Sequence, residues 1–228
     1  MEAKPLISHF DELRKSIIRI VIFFLLCAVI GLLFSQFIMS HIIDNLSLQN
    51  VELVSLTPLE FVYAQIKIAV VFALVFSLPL ILFESIIFIK PGARKNELAA
   101  LKYFLPGFIL LFIIGSSFGY FIFLKTALFF LSRLSFRAGI SNMWSIYNLI
   151  SFSLLVCFGL GAIFEMPIIM LILKKMNIIN AKWIAGKRPY VYISVFAVAA
   201  ILTPPDIITQ IMVALPIIVL YEITMLFM

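Results

Sequence analysis

Three carboxylates in this sequence stand where a lone acid could do chemistry. In HFDELRKSI, Glu12 precedes Arg14 and Lys15, and in FIKPGARKNELAALK (residues 88–102) Glu97 lies among Lys90, Arg94, Lys95 and Lys102. Both have plain readings. Asp11 and Glu12 suit the dipole of a helix start, and a solvated, salt-bridged Pro-Gly loop accounts for Glu97 and is the better reading of that loop taken alone. The third acid is Glu165 in GLGAIFEMPII, near the middle of an apolar run and just ahead of Pro167. If that run crosses a bilayer, a charge there costs at least about 2.5–3.5 kcal/mol on insertion scales. The alternative is a protonated glutamic acid bonded to a backbone carbonyl near the proline. Pro167 frees a carbonyl without requiring an acid, so the functional reading is preferred.

Other polar groups sit in or beside apolar runs: Lys67, Glu84, Glu222, and the pair Asp206 and Gln210. Glu84 and Glu222 are near run ends, where solvation explains them as well as function does. Lys67, seven residues into its run, can snorkel outward. Nothing points to covalent, metal or cofactor chemistry. Cys27 and Cys157 fall in apolar runs and read as small buried hydrophobes. His9 and His41 have no metal-ligand spacing, and the phosphate-binding GxxxxGK[ST] is absent. The expectation is no cofactor, no catalytic residues and no ATP hydrolysis by this chain.

The elements that must position these acids follow from composition. Hydrophobic residues make up 64% of the 228 and charged residues 12%, with mean hydropathy +1.20. A soluble globule of this size leaves roughly a quarter to a third of its surface wet and cannot hide that much apolar area. This excludes a soluble enzyme, a secreted disulfide scaffold and a disordered regulator. The 24 Phe and 9 Gly also argue against a β-barrel. At 1.5 Å of rise per residue a helix needs roughly 20 residues to span a bilayer. Six segments qualify, about 16–37, 60–89, 103–125, 147–173, 189–204 and 207–227. The expectation is therefore one all-α, polytopic membrane domain over residues 1–228, with no cleavable leader. The segments between 38 and 59 and between 126 and 146 should form caps with short helices. Thr57, Pro58 and Glu60 read as a helix start in which Glu60 serves as a cap.

Basic residues are uneven. Lys4, Arg14, Lys15 and Arg19, then Lys90, Arg94, Lys95 and Lys102, then Lys174, Lys175, Lys182, Lys187 and Arg188 fall on one side, against Lys125, Arg133 and Arg137 on the other. That bias predicts both termini in the cytoplasm. The net charge of +6 then reflects topology and not nucleic acid. Pro79 should kink the long second span. Thr203-Pro204-Pro205-Asp206 separates two short last spans, which makes the body concave.

Taken in order, these residues resemble the TatC family, the core subunit of the twin-arginine protein translocase. His9-Phe10-Asp11-Glu12-Leu13-Arg14 is similar to the family's N-terminal H-L-x-E-L-R. Ser77-Leu78-Pro79, Phe88-Ile89-Lys90-Pro91 and Glu97 resemble its second helix and first cytoplasmic loop. Phe164-Glu165-Met166-Pro167, Lys187-Arg188-Pro189-Tyr190 and Thr203-Pro204-Pro205-Asp206 with Gln210 resemble F-E-x-P, K-R-P/K-Y and T-P-P-D-x-x-x-Q. The chain departs from the family at Asp44-Asn45, where a proline is frequent, at Glu84, where an amide is frequent, and at Leu98-Ala99-Ala100, where bases are frequent.

The resemblance implies a receptor for folded proteins carrying Arg-Arg signal peptides, with Glu12, Arg14, Phe88 and Glu97 at the signal site. It implies Glu165, Pro79, Asp206 and Gln210 as intramembrane residues of translocation. The implied partners are single-span TatA/TatB-type subunits, further copies of the chain and the lipid bilayer, and the energy source is the proton gradient. A small-solute secondary transporter is the alternative. It should gather several facing polar groups near the midplane, where Glu165 stands nearly alone. An intramembrane enzyme would need a constellation that is not visible here.

Overall fold

The structure is a computed structural model. It describes residues 6–46, 51–89, 95–137, 139, 141–175, 178–180, 184–203 and 206–227, without the side chains of 6–10, 86–89 and 95–103. Helix α1 runs Leu6–Leu46, and strand β1, Val51–Val54, follows. Next come α2, Glu60–Ile89, and α3, Lys95–Ser117, which continues through a π-helical turn, Phe118–Leu124, into α4, Lys125–Arg137. Strand β2, Asn142–Ser145, leads into α5, Ile146–Phe164, and α6, Met166–Lys175. The last hairpin is α7, Arg188–Leu202, and α8, Ile207–Phe227.

These elements make six spans, and the protein is an all-α polytopic membrane protein. Five spans are long and apolar enough to cross a bilayer, and α7 is a shorter apolar helix. With 15 residues α7 rises about 22 Å, and with 21 residues α8 rises about 31 Å. The last two spans are thus the shortest. The second and sixth match their expected limits. The first is far longer than 16–37: its 41 residues rise about 61 Å, about twice the thickness of a hydrocarbon core.

The expected short cap helices are not separate elements among the described residues: 38–46 continue α1 and 126–137 belong to α4, and the cap holds two strands. β1 and β2 pair in parallel, Val51 with Asn142 through Val54 with Ser145. Four-residue strands separated by some ninety residues leave no local pattern to detect, because only the packing of the bundle brings them side by side. Glu60 locks this cap. Its Oε2 accepts from the Leu56 backbone N–H at 3.0 Å, and its Oε1 accepts from Ser145 Oγ at 3.1 Å. Helix α2 starts at Glu60 itself, so the expected start, with Thr57 as N-cap and Pro58 as first helical residue, is displaced by two residues. Ser145 Oγ in turn accepts from the Asn148 N–H and caps α5. Lys67 Nζ lies 5.1 Å from the centre of the Tyr147 ring at the same end.

Helices pack through small residues where backbones must approach, as expected without a hydrophobic drive between helices in lipid. A Cβ on Gly31 of α1 would lie 2.9 Å from Ala69 Cα of α2. One on Gly115 of α3 would lie 2.6 Å from Phe164 Cβ of α5. The main core joins Ile68, Phe123, Leu124, Ile150, Val156, Leu160, Ala199 and Val213 from α2, the π turn, α5, α7 and α8.

Candidate functional site

The N-terminal turns of α1 and the C-terminal turns of α2 lie at the same end of the bundle, joined by a Ser16–Glu84 contact. On α1, Glu12 is half-buried and Arg14 is exposed. Phe88 is in the last turn of α2 and Glu97 falls in the first turn of α3; both side chains lie outside the described residues. One turn inward from Glu12, the structure builds a polar cluster that the spacing of residues did not reveal. The Glu84 carboxylate of α2, its side chain 5% exposed, accepts at Oε2 from Ser16 Oγ and from the Arg19 guanidinium of α1, both at 2.7 Å. Arg19 also donates to Ser16 Oγ at 3.2 Å. Glu84 is therefore held by the neighbouring helix and not by interfacial water. The available signal was an acid and a base in adjacent spans at matching depth.

Glu165 has a different environment. It is the break in the fourth span: α5 ends at Phe164, α6 starts at Met166, and the Glu165 N–H bonds back to Ala162 at 3.2 Å. Pro167 explains the break, since it cannot donate the next ladder bond. The side chain is buried, and neither carboxyl oxygen has a hydrogen-bond partner among the described residues. The carbonyl-bonded alternative is thus not realised. The Phe112 backbone of α3 faces the carboxyl outside hydrogen-bond geometry. Phe112 also lines an apolar groove of about 250 Å³ between α1, α2, α3 and α5, together with Ile38, Ile68, Phe72, Ser116 and Phe158. Glu165 is not among the residues lining that groove. The Ser116, Tyr120, Ser77 and Ser151 hydroxyls are also buried without partners among the described residues. Serines inside apolar runs were the overlooked sign of this unsatisfied polar content.

The remaining expected residues have local roles. Helix α2 passes through Pro79 without interruption, which leaves the Val75 carbonyl without its usual donor. Asp206 is the N-cap of α8: its carboxylate accepts from the Thr209 N–H at 2.8 Å and from the Thr209 hydroxyl. Gln210 donates from Nε2 to the Phe196 carbonyl of α7 at 3.1 Å and ties the hairpin together. Pro204 and Pro205 lie outside the described residues. At the other end of this hairpin, Glu222 pairs with Arg188 at 3.1 Å and accepts from the Tyr192 hydroxyl at 2.6 Å.

Residues 8–216 match the family described as Sec-independent protein translocase protein (TatC). The chain belongs to the TatC family. The Aquifex aeolicus TatC is 35% identical over 96% of this chain and 92% of its own length. The Escherichia coli K12 TatC is 30% identical over 99% of this chain and 88% of its own. A crystal structure of the twin-arginine translocase receptor TatC, in DDM, superposes with a TM-score of 0.84 at 34% identity, covering 96% of this chain and 98% of that one. The TatC likeness thus covers nearly the whole chain.

Proposed function

We propose that this chain is the receptor and core subunit of a twin-arginine translocase, working as one six-helix transmembrane domain over residues 1–228 with both termini in the cytoplasm of a prokaryote. The observation that carries the reading is the match over nearly the whole chain to translocase receptors in sequence and in three dimensions. Glu12 and Glu97 each take one guanidinium of an Arg-Arg signal, while Arg14 and the neighbouring bases repel segments of the wrong geometry and Phe88 offers an apolar contact. The apolar part of the signal then runs along the helices. Glu165 hydrogen-bonds a polar group of the passing signal or of a single-span TatA/TatB-type partner, with Pro79, Asp206 and Gln210 shaping the path. Further copies of the chain complete the complex, the proton gradient drives transport, and the chain itself is not an enzyme. A small-solute transporter is not favoured by any of the comparisons.

The test is cross-linking of an Arg-Arg signal peptide to the full chain in its membrane, with a Lys-Lys version as control. Glu12→Ala and Glu97→Ala should each weaken Arg-Arg capture by roughly ten- to a hundredfold, the loss of one charge-assisted contact. Equal capture of both peptides, or capture unmoved in both variants, would sink the reading. Cysteine labelling of Ser47 from outside and Asn96 from inside checks the orientation.

A further inference from the structure

The Ser16–Arg19–Glu84 cluster lies outside the residues assigned above, and its position is informative. Glu12, Ser16 and Arg19 are spaced i, i+4 and i+7, so they share one face of α1. Glu84 is one turn before Phe88 on α2. The cluster is therefore one turn inward from Glu12 on one helix and from Phe88, in the last turn of α2, on the other.

Apolar packing alone specifies the register of α1 on α2 poorly. Helix α1 exposes Ile17, Ile18, Val21, Ile22, Leu25 and Leu26 in close succession, and lipid gives no hydrophobic drive for one apolar face over another. The Gly31–Ala69 approach marks one point of contact near mid-span. Glu84 supplies a second, directional one. A slip of one residue moves Ser16 and Arg19 about 1.5 Å along the axis and roughly 100° around it, which takes both donors away from a single carboxylate oxygen they now reach at 2.7 Å. With Glu84 buried, the alternative to this register is an unpaired acid in the membrane.

We propose that Arg19, Ser16 and Glu84 form a latch that sets the register of α1 against α2, and so fixes the spacing between the two acid-bearing segments that read the arginine pair. Arg19 and Glu84 are then positioning residues for specificity, acting through Glu12 and the α2–α3 connection without touching the signal. This inference rests on the receptor reading and deepens it.

The experiment measures binding of a fluorescent Arg-Arg signal peptide and its Lys-Lys counterpart to the full chain in lipid nanodiscs. The variants are Arg19→Glu, Glu84→Arg and the double reversal. Each single reversal should lower the Arg-Arg over Lys-Lys preference by about tenfold, and the double reversal should restore it to within about threefold, the signature of a coupled pair. Should a reversal fail to insert, Arg19→Gln, Glu84→Gln and their double variant replace it, with a smaller loss of about threefold in each single variant and recovery in the hydrogen-bonded amide pair. A parent protein with no preference would sink the receptor reading itself. A discriminating parent whose single variants still discriminate would overturn the latch alone, as would single losses that the double variant fails to restore.

Discussion

The α1–α2 and α3–α5 contacts follow one plan and end differently. Each brings two apolar helices together over a glycine, Gly31 against Ala69 in the first and Gly115 against Phe164 in the second. Each has one buried glutamate nearby. In the first, Glu84 is matched by a guanidinium and a hydroxyl from the facing helix. In the second, Glu165, Ser116 and Tyr120 are buried with no partner among the described residues. A satisfied buried polar group rigidifies its surroundings, while an unsatisfied one holds hydrogen-bonding capacity in reserve at a cost in stability. The first contact is therefore held by directional bonds, whereas the second keeps hydrogen-bonding capacity unused among the described residues.

The largest effect is expected from crowding the second contact. A Cβ at position 115 would meet Phe164 Cβ at 2.6 Å and the Leu160 carbonyl at 2.7 Å, neither of which can swing aside. Gly115→Ala should destabilise the purified protein by about 1–3 kcal/mol, seen as a fall in its unfolding temperature in detergent. Gly119→Ala, with its nearest contact at 3.3 Å, should cost much less. Equal effects would mean that the contact is looser than its geometry.

Next comes the ion pair. Arg19→Ala removes the counter-charge of the buried Glu84 carboxylate and leaves it only the Ser16 hydroxyl. The expected loss is about 2 kcal/mol, below the roughly 3–5 kcal/mol of a fully buried pair, because the Arg19 side chain is 58% exposed and water screens it. Thermal unfolding of Arg19→Ala beside Glu84→Gln measures it. A loss no greater than that of an exposed pair would erase the contrast between the two contacts.

The sign should reverse at the other glutamate. Glu165→Leu removes an unsatisfied group and should leave stability unchanged or raise it by about 1 kcal/mol, while reducing transport in vesicles with the partner subunits. Glu165→Gln keeps hydrogen-bonding capacity and should preserve most transport, whereas Glu165→Ala should keep signal binding and lose later steps. A stability loss in Glu165→Leu as large as that in Arg19→Ala would show that Glu165 has a partner after all.

The smallest effect belongs to the hairpin outside both contacts. Asp206→Ala removes the α8 cap and should cost about 1 kcal/mol, with Asp206→Asn largely neutral, read as a shift in unfolding temperature. A transport defect in Asp206→Asn with stability intact would give that carboxylate a role beyond capping.

Much of this was legible in the chain. The limits of α2 and α8 and the short α7 follow from apolar length and proline chemistry. These are local causes, and a linear sequence displays local causes. The full length of α1, the start of α2 at Glu60, the continuation of the third span through Phe118–Leu124 into α4, and the pairing of β1 with β2 were not legible. Each depends on what another segment places alongside.

The same division holds at the candidate site. By itself the sequence determined that Glu84 and Glu165 are acids in apolar helices, because hydropathy and residue type are properties of single positions. Which of them is satisfied was decided by the tertiary structure alone. Arg19 reaches Glu84 across 65 residues of chain, and no donor comes within bonding geometry of Glu165 among the described residues. Hydrogen bonds are settled within a few tenths of an ångström, and that precision exists only once helices are packed in register.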